Sequence, residues 1–242
     1  MQHSSKNPYL PFLYSLLTEN INYDLPHYLD HAQHHGGPIL ELGVGLGRIF
    51  LPLAELGMPI YGIDSASVML KTLQQNPVTQ QPHCTLIQAD MTDFQLAQHF
   101  QTILVPLRTF HLLESATLRN KCLQTCSDHL LPGGQLLLHL TERTPQVQDS
   151  SWKIIMERST INLGWLTVEE SMLTTSNRSI VLLHRFQEYD QDGLFVRSWL
   201  LRHPIYLFSI DEINLSNFGL KISEKRSLGA DEFLVILSKY QQ

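Results

Sequence analysis

The amino-acid sequence predicts an α/β fold, a doubly wound and mostly parallel sheet into which an antiparallel β segment has been inserted late in the chain. Three observations predict it. From Pro38 onward, short wholly apolar runs alternate with helical patterns, as strands buried on both faces of a parallel sheet require. Residues 151–206 switch to period-two runs such as LTVEESMLTT and SIVLLHRFQEY, the pattern of half-buried antiparallel strands. The 242 residues are 43% hydrophobic, enough for one sizeable core.

The elements follow in order. Leu10, Phe12, Leu13, Leu16 and Leu17, then Leu25, Tyr28 and Leu29, predict two leading helices, the second capped by Asp24 with Pro26 in its first turn. ILELG, PIYGID, CTLIQAD, TILVPL and GGQLLLHL are the parallel strands, and IFLPLAELG, SVMLKTL and Glu114–Leu130 the intervening helices. In LLPGG, residues 130–134, a proline and two glycines end the last helix and lead into a buried strand. After the insertion, Ser209 and Glu212 form a capping box for a segment reaching Asn217. LKISEK and FLVILSK close the domain, with Lys221–Arg226 a solvated strand edge. The expected organisation is a helical cap over 1–37, an α/β domain over 38–145 and 207–242, and a β insertion over 146–206 that covers the active site.

Seventeen Lys and Arg against 23 Asp and Glu give a formal net charge of -6, a poor match for nucleic acid or an anionic membrane surface. The expected partner is therefore a small or neutral molecule. Three cysteines, no basic-then-apolar leader and no apolar run near the roughly 20 residues that span a bilayer predict a reduced, soluble, cytoplasmic protein. Exposed hairpins in the insertion could pair two copies across a two-fold axis.

The chemistry concentrates in ELGVGLGR, residues 41–48. In a doubly wound sheet the ligand crevice lies beyond the carboxyl ends of the strands, where Gly43, Gly45 and Gly47 stand. Glycine there permits positive φ and close approach of backbone to ligand, and the following helix start offers unpaired N–H groups. Asp64, 21 residues after Gly43, is placed to accept both hydroxyls of a ribose. Arg48 occupies the place of the third glycine of a dinucleotide signature, and no Lys-Ser/Thr pair follows as an NTPase loop needs. Tight strand-to-helix packing with no ligand is the alternative reading of the glycines.

With YGIDSASVML at 61–70, QADMTDF at 88–94, VPLRTF at 105–110 and LLPGGQLLL at 130–138, the chain resembles the class I S-adenosylmethionine-dependent methyltransferases over about residues 23–140. YDLPHYL, Tyr23–Leu29, is similar to the small-molecule branch that includes amino-sugar N-methyltransferases. The resemblance implies a Rossmann-like, seven-stranded sheet, S-adenosylmethionine as cofactor and a small-molecule methyl acceptor with a nitrogen or oxygen nucleophile. It implies that Glu41 and the glycine backbone (Gly43, Val44, Gly45, Gly47, with Arg48) hold the methionine end, Asp64 and Ser65 the ribose, and Asp90 with Met91 the adenine. Met69 would pack on the adenine face, and Tyr14, Pro106 and Leu107 complete the cofactor set. Helix capping at MTDF is the alternative for Asp90 and Asp93. Val44 and Leu46 stand where the family commonly has Cys and Thr, so a polar side chain beside the methionine moiety is lost.

Two further residues are catalytic candidates. His111 follows the fourth strand with an unperturbed pKa near neutrality, as a base or as a packed histidine. Arg108 would hold an anionic group if it points inward, since it would repel a sulfonium, or else forms a surface ion pair. Tyr9, Tyr14, Tyr23 and Tyr28 from the leading helices, with Trp165, His203 and Tyr206 from the insertion, are candidates to close the cavity or to be ordinary core. His31, His34 and His35, and Cys122, Cys126 and His129, have helical spacing without a complete ligand set, and no metal is expected. Competing readings are a macromolecular methyltransferase, a non-catalytic protein of the same fold and, more distantly, a hydride-transfer enzyme.

Overall fold

A computed structural model describes residues 7–142, 149–160, 164–176, 178–229 and 231–240. Two helices, α1 (Leu10–Thr18) and α2 (Leu25–His35), precede the alternating segment. There β1 (Ile39–Leu42), α3 (Phe50–Glu55), β2 (Ile60–Asp64), α4 (Ser67–Leu73), β3 (Cys84–Gln88), β4 (Phe100–Val105), α5 (Ala116–His129) and β5 (Leu130–Thr141) follow one another. Four long strands come next, β6 (Lys153–Thr160), β7 (Gly164–Ser176), β8 (Ser179–Tyr189) and β9 (Phe195–Tyr206), and β10 (Leu220–Gly229) and β11 (Glu232–Lys239) end the chain.

The seven-stranded sheet has the order β10-β11-β5-β4-β1-β2-β3. β1 pairs parallel with both β2 and β4, and β11 runs antiparallel between β5 and β10. Every residue of β1 is buried, which its three aliphatic side chains suit and which leaves Glu41 as a buried acid. Because the chain leaves β1 towards β2 and returns to β4 on its other side, the strand order reverses at the carboxyl ends of β1 and β4, where ligands of such sheets bind. The core on the α2–α3–α4 side of this sheet includes Tyr28, Ile39, Phe50, Leu53, Ile60, Leu70 and Leu104.

The chain divides into two compact units, 1–142 with 209–242, and 143–208. The second carries an antiparallel sheet in the order β6-β7-β8-β9. The boundary expected at 145/146 lies outside the described residues.

Three local expectations change. Asp24 sits at the N-cap position of α2 but makes no cap hydrogen bond, because its carboxylate is taken by Arg48. LLPGG does not simply follow the helix: α5 stops at His129, Leu130 already pairs with Phe100, and the register jumps to Thr102–Gln135. The intervening residues bulge out because Pro132 has no N–H to give the ladder. The capping box of Ser209 and Glu212 is present, but on a single 3-10 turn, Ile210–Glu212. No described helix is long and apolar enough to cross a membrane.

Candidate active site

The glycine loop joins β1 to α3 with φ values of 69°, 53° and 83° at Gly43, Gly45 and Gly47, which L side chains adopt only at a cost of about 1–2 kcal/mol each. Space separates the three. A Cβ on Gly43 would lie 2.7 Å from Thr109 Cγ2, and one on Gly47 would lie 2.6 Å from Leu73 Cδ1. Over Gly45 the nearest atoms are Met69 Cε at 3.7 Å and Tyr14 Cε1 at 3.8 Å. Packing thus forces two glycines, while the middle one looks into room framed by a thioether and a phenol.

The loop amides correct the expectation of N–H groups aimed at a ligand. Gly43 and Val44 both donate to the Ile63 carbonyl, Gly45 donates to Asp64 Oδ2 at 2.9 Å, and Gly47 donates to the Val44 carbonyl. The Val44 side chain is a core group, 3% exposed, and a Cβ on Gly62 would touch it at 2.8 Å. Val44 in place of a polar residue therefore removes nothing from the crevice.

Glu41 is the most unusual acid beside this loop. It is 2% exposed, the Phe50 backbone N–H bonds to its carboxylate, and Oε2 has no partner. Burial pushes its pKa up to about 8 against the pull of Arg48 and of the Phe50 amide. A buried acceptor without a donor costs about 1–3 kcal/mol, so this atom marks a place for a donor.

Asp64, at the end of β2, accepts from Gly45 N–H and, through Oδ1, from Ala66 N–H. Burial raises its pKa, opposed by these backbone donors. Its neighbour Ser65 is exposed, and Met69 on α4 is buried. Beyond β3, Asp90 caps a turn by accepting from Thr92 N–H and Thr92 Oγ1. No helix forms at MTDF, so helix capping is not what Asp90 does; it closes an Asx turn instead, with Asp90 exposed next to half-buried Met91. Tyr14 on α1 is half-buried, its pKa raised by burial while Arg48, Asp64, Arg108 and Glu41 also act on it.

After β4 the chain turns at buried Pro106 through two non-glycine residues with positive φ, Leu107 (49°) and Arg108 (61°). Such a pair stores strain of about 1–3 kcal/mol per residue. Two contacts hold it: Thr109 donates through N–H and Oγ1 to the Pro106 carbonyl, and Arg108 Nη1 donates to Glu232 Oε1 at 2.7 Å. Arg108 is thus in an ion pair with a residue of β11 rather than free for an anion. His111 is fully buried, and its Nε2 accepts the Thr141 N–H at the end of β5. The lone pair a base would use is engaged, which speaks against the base role and for the packed reading.

Sequence reasoning missed what Arg48 and Arg108 are tied to. Arg48 makes a two-pronged pair with Asp24, at 2.5 and 2.8 Å, and also donates to the Ile21 carbonyl. His139 on β5, wholly buried, lies between the two acids, Nδ1 3.4 Å from Asp24 Oδ2 and Nε2 3.2 Å from Glu232 Oε2. The Asp24 contact is an ion-pair approach without hydrogen-bond geometry. Tyr23 Oη donates to Glu232 Oε2. Charges therefore alternate from Arg48 through Asp24, His139 and Glu232 to Arg108. Burial disfavours charge on both acids, but the approach of His139 with the bonds from Arg48 on Asp24, and His139, Tyr23 and Arg108 on Glu232, outweigh it and hold each near pKa 2. On His139 burial is likewise outweighed by the two acids, and its pKa is raised. None of Asp24, His139 and Glu232 has a local signature, because their partners lie 24 to 209 residues away.

Among the described residues no three His, Cys, Asp or Glu side chains could hold a metal ion. Cys84, Cys122 and Cys126 are free thiols.

A methyltransferase-domain family model matches residues 39–134. No curated protein matches the sequence. Solved structures resemble it across nearly its full length. A S-adenosylmethionine-dependent methyltransferase from Clostridium acetobutylicum is 14% identical with a TM-score of 0.77, covering 97% of this chain and 100% of its own. DesVI from Streptomyces venezuelae is 17% identical with a TM-score of 0.75, covering 94% and 96%. CalS10 from Micromonospora echinaspora, an amino pentose methyltransferase, is 16% identical with a TM-score of 0.73, also covering 94% and 96%.

Proposed function

We propose that this chain, whose residues 39–134 match a methyltransferase-domain family model, transfers a methyl group from S-adenosylmethionine to a small molecule through an amine or hydroxyl. The observation that carries the reading is Glu41 Oε2, a buried acceptor without a donor beside a loop of three positive-φ glycines. The cofactor's ammonium group is such a donor. Asp64 stands at the end of β2 to accept ribose hydroxyls, and Ser65 flanks it; Asp90 with Met91 lies beyond β3 for the adenine. Met69 and Tyr14 bound the space over Gly45, where a thioether and a phenol suit a flat or cationic ligand.

S-adenosylmethionine, when bound, supplies an already activated sulfonium methyl, so the chain's own part is alignment and exclusion of water. Glu232 neutralises Arg108, which removes the like-charge repulsion a bare guanidinium would exert on a sulfonium. His111 is not assigned a proton role, and an amine acceptor that binds neutral needs none. Solved structures of this shape include sugar methyltransferases such as CalS10 and KedS8, and the net charge of -6 opposes a nucleic-acid substrate.

The test offers radiolabelled cofactor with a cell extract. Label in the small-molecule fraction is expected; label only in the precipitable fraction would shift the assignment to a macromolecular acceptor. Absence of S-adenosylhomocysteine binding at millimolar ligand in calorimetry would overturn the cofactor assignment. Three free thiols are consistent with a reducing cytoplasm. The exposed Ile154, Ile155, Trp165, Phe195 and Leu200 of the antiparallel unit are proposed to pair with a second copy; a monomer in sedimentation at high protein concentration would refute this.

A further inference from the structure

Glu41 Oε2 is left without a partner although the Arg48 guanidinium acts on the carboxyl as its strongest nearby charge. The reason is the second grip on that guanidinium. Arg48 is bound by both oxygens of Asp24 and by the Ile21 carbonyl, all from the segment that enters α2. Asp24 is itself 0% exposed and backed by His139. We propose that Asp24 is a positioning residue for cofactor binding, which holds Arg48 away from Glu41 and so keeps the Glu41 carboxyl open as a socket for an ammonium group. The inference rests on the cofactor reading above and goes beyond it by placing the control of the site on the leading helices.

An arginine within reach of a buried carboxylate pairs with it unless a better partner competes. Here the competitor is bidentate and already ionised. With Arg48 bonded to Asp24 and acting on Glu41 only through its field, burial raises the Glu41 pKa, the negative charge of Asp64 and Asp24 adds to it, and the field of Glu41 in turn reaches the phenols of Tyr14 on α1 and Tyr28 on α2. Glu41 is accordingly protonated at neutral pH in the free protein. When an ammonium group docks, the Glu41 O–H releases its proton to the buffer and the carboxylate takes the ammonium N–H. The socket is neutral when empty and paired when full.

The experiment is calorimetric titration of the full chain with S-adenosylhomocysteine at pH 7, in two buffers of different ionisation enthalpy, which counts protons released. For a carboxyl near pKa 8 and a ligand amine of similar pKa, the wild type should release about 0.8 proton per ligand. Asp24→Asn should lower affinity at least about tenfold and abolish most of the release, because Arg48 then pairs with Glu41 and ionises it beforehand. Asp24→Asn with Arg48→Gln should bring back the proton release and recover affinity relative to the single variant, since no guanidinium remains to fill the socket. If Asp24 merely supported the fold, the double variant would bind no better than the single one, and the proposal would fail. Wild-type binding without proton release would also sink it while leaving the cofactor assignment standing. Absence of any binding to wild type would overturn the cofactor assignment and this inference with it.

Discussion

Replacing Glu41 by glutamine tests the electrostatics of the site without any ligand. The side chain is 2% exposed, and its pKa moves from 4.5 in the unfolded reference to about 8 in the folded protein. A raised acid binds its proton more tightly when folded, so its contribution is fully present below pH 4.5 and is lost as pH rises through 8. Between 4.5 and 7 the loss is about 2.5 pH units at about 1.4 kcal/mol each, or about 3–4 kcal/mol. Glutamine has the shape of the protonated acid and does not titrate. Urea unfolding of the wild type and of Glu41→Gln, followed from pH 5 to pH 8, should therefore give curves that lie close at pH 5 and diverge by a few kcal/mol at pH 8, with the variant more stable. His139, whose raised pKa also removes stability as pH rises through it, contributes equally to both proteins and cancels in the difference. Parallel curves would show that Glu41 is ionised throughout, and the account of a neutral socket would fall.

Other outcomes follow from the same geometry. Asp64→Ala should weaken S-adenosylhomocysteine binding by at least ~1–3 kcal/mol in calorimetry; an unchanged affinity would remove the ribose assignment. Gly47→Ala should lower the thermal midpoint, since both its φ of 83° and Leu73 at 2.6 Å resist a Cβ, at about 2–5 kcal/mol together. Gly45→Ala meets no such clash and should lose only the about 1–2 kcal/mol of its φ of 53°, so equal thermal losses in the two variants would contradict the packing distinction. His111→Ala should destabilise by about 1–3 kcal/mol by orphaning the Thr141 N–H, with S-adenosylhomocysteine affinity kept; unchanged thermal stability would refute the packed role. Asp24 and Glu232, both depressed to about 2, give stability that is present above pH 4.5 and lost as pH falls towards 2. Glu232→Gln should flatten that acid limb in denaturant unfolding, and an unaltered limb would count against the network.

The parallel sheet, the insertion and the closing strands were legible because burial on one or both faces writes period and polarity into contiguous residues. Ile39, Leu40 and Leu42 are apolar because β1 is buried on both sides, with Glu41 the one charged exception, and SIVLLHRFQEY had to alternate to lie in β8. The glycine loop was legible as a special backbone, yet its purpose was only partly so. Gly43 and Gly47 are fixed by Thr109, Leu51 and Leu73, residues whose proximity depends on tertiary contacts. His111 read as a candidate base from its place after β4, because sequence shows that a histidine follows a strand but not whether a neighbouring strand's amide already occupies its ring. Asp24 read as a helix cap for a similar reason: an Asp before Leu-Pro has that local option, and only a guanidinium from residue 48 overrides it.

That override explains why the charged residues of this site divide into two kinds. Arg48, Asp24, His139, Glu232 and Arg108 alternate in sign along a path from the glycine loop to the loop after β4, and each is held by at least one opposite charge. A buried charge that lost its partner here would cost about 3–5 kcal/mol, so the path fixes two loops and the entry to α2 in one arrangement. It also consumes both guanidinium groups that could otherwise neutralise an acid or repel a cation in the crevice. Glu41 and Asp64 are left outside it, one with an orphan oxygen and the other held only by backbone N–H groups. The proposed ligand, which would bring its own positive charge and hydroxyls, would therefore meet acids, and its sulfonium would face guanidinium groups already paired with Asp24 and Glu232.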